Sequence, residues 1–116
     1  MGAAQTIIFP VRDLDTAKTV FGRLTGAEPT VDQPYYVQFD VDGQTIGLNP
    51  HGHDQGMTGP VCYWRVEDIA ASVQHLVDAG GTVAERPHDV GGGRQVATVL
   101  DADGNPIGLI WDAPAS

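Results

Sequence analysis

Six side chains able to stack on or hydrogen-bond a ligand stand in strand-like stretches of this chain. Tyr36, Gln38 and Asn49 lie in its first half, and Tyr63, Arg65 and Gln95 in its second. Arg65 is the most pointed of them. A guanidinium presented by a strand can grip a carboxylate or phosphate with two parallel hydrogen bonds, or pair internally with an acid. Tyr36 and Tyr63 offer a flat apolar face and a hydroxyl. His88 falls in the connection predicted from His88 to Gly93, beside the Gly91-Gly92-Gly93 run, and with Tyr63 and Arg65 is a candidate acid or electrostatic stabiliser. His51-Gly52-His53-Asp54 has no matching donor cluster elsewhere and reads as a surface loop. Cys62 sits in an apolar strand pattern that sends it to the core as a small hydrophobe. No Ser-His-Asp or Cys-His nucleophile set assembles from these residues, and the triple glycine lacks the lysine and strand-to-helix setting of a phosphate-binding loop.

The elements that must position these groups occur twice. Val11-Arg12-Asp13-Leu14 returns as Val66-Glu67-Asp68-Ile69, and Phe39 to Leu48 returns as Leu100 to Leu109. In each copy an apolar run predicts a strand, an aspartate caps the helix that follows, and three further strands complete the unit. Leu14, Ala17, Val20, Phe21 and Leu24 form the first helical stripe, and Ile69, Val73, Leu76 and Val77 the second. Asp42-Gly43 predicts a two-residue hairpin. Module one spans residues 4–49, a turn-rich linker 50–59, and module two 60–112. The order βαβββ, repeated, predicts two sheets related by a pseudo-twofold axis, with a concavity between them.

At 116 residues the chain makes one domain that needs no disulfide to fold. Six basic against 15 acidic residues give a net charge of -9, so a nucleic-acid partner is not expected. No segment reads as a signal sequence or as the roughly 20 apolar residues of a membrane span, and a cytoplasmic protein without membrane contact is expected.

The doubled βαβββ plan resembles the vicinal oxygen chelate superfamily, the glyoxalase, bleomycin-resistance and dioxygenase proteins. The residues that carry the resemblance are Val-x-Asp-Leu/Ile leading into each helix, His88 to Arg94, and Asp101-Ala102-Asp103-Gly104-Asn105-Pro106 before the last strand. It implies an α+β fold of two tandem modules forming a cupped, barrel-like mixed sheet with the helices outside, and a homodimer. Enzymes of this superfamily hold a divalent metal through His or Gln and Glu. The resemblance puts Thr6 and Val61 at the usual His or Gln positions, and Gly47 and Gly108 at the usual Glu positions. None is a ligand, so neither metal nor any other cofactor is expected.

With Thr6 and Val61 facing the concavity, strand alternation adds Ile8, Pro10, Tyr63 and Arg65 to that face and sends Cys62, Trp64 and Val66 toward the helices. The same alternation assigns Tyr36, Gln38, Thr45, Gly47 and Asn49 to the concave face of module one. In module two it assigns Gln95, Ala97, Val99, Gly108 and Ile110, with the two glycines leaving space for a bulky ligand. The reading favoured is a metal-free protein that sequesters a small or antibiotic-like molecule. The alternatives are a glyoxalase-like lyase, isomerase or dioxygenase with a non-standard site, and a structural or regulatory partner domain.

Overall fold

The computed structural model describes residues 4–114. The chain divides into two compact units, one over Gln5–Val61 and one from Cys62 onward. Each carries a strand, a helix and three further strands in that order.

In the first module, β1 (Ala4–Pro10) leads to α1 (Leu14–Thr25), followed by β2 (Val31–Gln33), β3 (Tyr36–Val41) and β4 (Gln44–Asn49). Asp13 ends the extended run and starts the helix, its carboxylate accepting from the Thr16 N–H at 3.1 Å. Gly26, at φ 68°, closes the helix in the left-handed conformation that glycine adopts without steric cost. The sheet order is β2-β3-β4-β1, with β1 parallel to β4 and the other pairs antiparallel. Val41 pairs with Gln44, so Asp42 and Gly43 alone make the turn, at φ 50° and 82°. Both positive angles identify the predicted tight hairpin. Val37, Phe39 and Leu48 are fully buried against Leu14, Ala17 and Phe21 of the helix.

The second module repeats the plan with β5 (Val61–Arg65), α2 (Ile69–Asp78), β6 (Thr82–Gly91), β7 (Arg94–Leu100) and β8 (Pro106–Asp112). Asp68 caps α2 through the Ala71 N–H at 3.0 Å. The order is β5-β8-β7-β6, β5 running parallel to β8. Val66, Ile69, Ala97 and Leu109 form its buried core, with Trp64, Val73, Leu76, Ile107 and Trp111 packed around them.

Three expectations fail. Ala97 and Val99 are wholly buried on the helix side, and Gln95 shares that side through its pairing with Trp111. The cause is the turn between β7 and β8. Leu100 pairs with Pro106, leaving a five-residue loop whose odd length shifts the facing set by one. Asp101 builds that loop, its carboxylate accepting from the Asp103 and Asn105 N–H groups at 2.9 and 2.8 Å. Cys62 is exposed, because α2 packs over Trp64 and Val66 and leaves their neighbour at the strand's start uncovered. His88 belongs to a strand, since β6 continues to Gly91. Within the segment between β4 and β5, residues 50–56 are a run of turns closed by backbone bonds such as Met57 N–H to the Gly52 carbonyl at 2.9 Å.

Candidate functional site

Each module turns one sheet face to its helix and the other away from it; the polar residues collect on the second. In module one the register sets Ile8, Gly47, Gln38 and Val31 in a row across the four strands. Tyr36 is on the same face. Its hydroxyl donates to Gln38 Oε1 at 3.0 Å, and Gln38 Nε2 donates to Asp40 at 3.1 Å. Asp40 also accepts from the Thr30 and Thr45 hydroxyls, both at 2.6 Å. These donors, Thr30 first, hold the Asp40 carboxyl below its usual value. The network satisfies the groups it contains. Asn49 is committed to its own loop, accepting from the His51 N–H at 2.9 Å and donating to Gln55 at 3.1 Å.

In module two the register gives two parallel rows. Tyr63, Gly108, Thr98 and Glu85 form one; Arg65, Ile110, Val96 and His88 form the next. Tyr63 and Arg65, predicted to share a face, do so. Glu85 and His88 would fall on opposite faces of a regular strand, being three apart, but their partners Thr98 and Val96 are only two apart. A bulge around Pro87 absorbs the extra residue and brings both side chains to one face. The His88 Nε2 lies 3.9 Å from a Glu85 oxygen, and its Nδ1 lies 2.8 Å from the Arg86 carbonyl, so Nδ1 carries the proton of the neutral ring. Burial raises the Tyr63 pKa, with the Glu85 charge adding to it against a hydrogen bond to Thr98, and the phenol stays protonated at neutral pH. The placement of Glu85 depends on the register shifts on either side of it, of which Pro87 is the one sign in the sequence.

Beyond these rows Asp112 lies between two arginines. Arg94 Nε and Nη2 meet its two carboxylate oxygens at 2.7 and 3.2 Å, and Arg65 Nη2 reaches it at 2.8 Å. Arg94, then Arg65, holds the Asp112 carboxyl below its usual value. Neither Arg94 nor Asp112 was identifiable without the five-residue turn that makes them cross-strand partners.

The four positions that the sequence matched to metal ligands are testable one by one. Thr6 and Val61 are buried and carry no imidazole or carboxylate. Gly47 and Gly108 do not open space. A β-carbon on Gly47 would collide with the Tyr36 hydroxyl and approach Ile8 Cδ1 to 2.6 Å, and one on Gly108 would lie 2.6 Å from Cγ and 2.7 Å from Cε1 of Tyr63. The tyrosines occupy the room a carboxylate side chain would need. Among the described residues no group of three or more His, Cys, Asp or Glu could hold a metal ion. The donor set therefore does not fit a divalent metal.

A family model, the Glyoxalase/Bleomycin resistance protein/Dioxygenase superfamily, matches residues 4–109. The chain belongs to that superfamily. Similar solved structures include an NAD-dependent benzaldehyde dehydrogenase from Legionella pneumophila, with a TM-score of 0.77 and 13% identity over 93% of this chain and 98% of that one. A glyoxalase/bleomycin resistance protein/dioxygenase superfamily member from Vibrio splendidus 12B01 has a TM-score of 0.72 and 17% identity, over 93% and 97% of the two chains. The Streptomyces coelicolor methylmalonyl-CoA epimerase has a TM-score of 0.70 and 15% identity, over 100% and 98%. At these identities the likeness is one of fold. No curated protein matches the chain.

Proposed function

We propose that this protein binds a small molecule without a metal, in the manner of the non-enzymatic members of its superfamily. The packing of Tyr36 on Gly47 and of Tyr63 on Gly108 carries the reading, because it replaces carboxylate positions with aromatic surface. In each module a sheet face that carries a tyrosine beside a few placed polar groups suits an organic ligand. The candidate ligand contacts are Tyr63 and Arg65 on the second module's face and, taken by itself, the pair Tyr36 and Gln38 on the first module's face. Asn49, held in its loop, and Gln95, on the helix side, are not among them. Sequestration would take place in the cytoplasm, in a homodimer.

The test has two parts. Protein dialysed against a divalent-metal mixture should retain less than a tenth of an equivalent by elemental mass spectrometry. A thermal-shift screen of cationic, neutral and anionic aromatic compounds should give saturable stabilisation. Stoichiometric metal, or no stabilising compound in any class, would overturn the proposal. A second reading, acid–base catalysis, is favoured by the placement of His88 with Glu85 and Tyr63 on one face. Loss of turnover in His88→Ala with ligand binding retained is the result it requires.

A further inference from the structure

The Arg65–Asp112–Arg94 cluster has a feature that its role in folding does not explain. Two of the chain's six basic residues converge on one carboxylate, in a protein whose total charge is -9. The position is open: the side chains of Arg65 and Arg94 are 49% and 39% exposed, and that of Asp112 is 25% exposed. The repeat supplies an internal comparison. Strand registers place Pro10 of module one where module two has Arg65, and β3 and β4 of module one end short of positions matching Arg94 and Asp112. One module folds without the cluster, so the βαβββ plan does not require it. The cluster also adjoins the candidate face, since Arg65 is two residues along β5 from Tyr63, about 7 Å.

We propose that this cluster is an oxyanion site: the ligand's carboxylate or phosphate binds at Arg65 and Arg94, sharing or displacing Asp112, while its remaining body lies along Tyr63. The proposal rests on the small-molecule reading above and adds the charge of the ligand. Asp112 shows the chemistry directly, being a carboxylate already gripped by Arg94 through two nitrogens and by Arg65 through a third. As a resident carboxylate it competes with an incoming one.

The experiment follows the arginine Nε–H signals of ¹⁵N-labelled protein by NMR at constant ionic strength. The titrants are benzoate, phenyl phosphate, benzylammonium and benzyl alcohol. Saturable shifts of the Arg65 and Arg94 signals with benzoate, phenyl phosphate or both are expected. The tighter of the two identifies the oxyanion. Asp112→Asn should tighten anion binding about tenfold, and Arg65→Gln should weaken it about tenfold while leaving the fold intact by its amide spectrum. A cluster that serves only structure would give anion shifts no larger than those with benzyl alcohol, and no tightening in Asp112→Asn; either result overturns the proposal. Saturable binding of benzylammonium or benzyl alcohol without benzoate or phenyl phosphate would overturn the oxyanion site yet leave small-molecule binding standing. Absence of binding by all four would overturn the oxyanion site, and the wider thermal-shift screen decides the broader reading separately.

Discussion

Two glycines that look alike in the sequence are filled differently, and this separates their expected tolerance of substitution. At Gly108 the obstructing atoms are Cγ, Cδ1 and Cε1 of Tyr63, close to that side chain's root on the paired strand. At Gly47 they are the far ends of Tyr36 and Ile8, which can swing aside. Gly108→Ala should therefore destabilise the protein by about 1–3 kcal/mol, the usual range for overpacking, and Gly47→Ala by less than about 1 kcal/mol. Urea unfolding of both variants checks the order. Adding Tyr63→Ala to Gly108→Ala should recover part of the loss, a coupling expected only of residues in contact. Equal penalties, or strict additivity, would refute the packing argument. The identity of the residues at these sites was legible in the sequence; their occupation by tyrosine rings was not, because it depends on side-chain direction across strands.

The two hairpins show what sequence conveys about elements. Asp42-Gly43 announces its geometry, since two positive φ angles leave little choice of residue, and the facing set of β3 and β4 follows correctly. Asp101 to Asn105 announces a turn between the two strands, but the register across it is fixed only by the pairing of Leu100 with Pro106. A loop of odd length inverts every side-chain assignment on one strand relative to the other, and that single unit displaced Gln95, Ala97 and Val99 together. The Glu85–His88 bulge acts in the same way. Asp101 is the residue that fixes the loop, so Asp101→Ala should speed amide exchange at Asp103 and Asn105, whose N–H groups lose their acceptor. Exchange at Val37 and Phe39, in the other module, should be unchanged. Uniform acceleration through both modules would instead indicate a global loss of stability.

Across the whole molecule, acidic residues both repel one another and hold local structure, and the two effects give opposite pH dependences. The carboxyls of Asp13, Asp40, Asp101 and Asp112 are all held below the ordinary 3.8 by hydrogen bonds or by arginine. A group whose folded pKa is depressed contributes stability that is complete above its unfolded pKa and is lost as pH falls through its folded one. These four therefore predict falling stability from about pH 5 downward. Self-repulsion from the -9 charge works the other way, since protonation relieves it. The distances decide between them. Diffuse repulsion is screened beyond about 8 Å at 0.15 M salt, whereas the Asp40 bonds at 2.6–3.1 Å are contacts that mobile ions do not enter. At that salt concentration the urea midpoint should hold between pH 7 and 5 and then drop toward pH 3. The drop should be shallower in Asp40→Asn, which cannot titrate there. A midpoint that rises below pH 5 would mean that repulsion governs, and that the carboxylate networks of the two modules contribute less than their geometry implies.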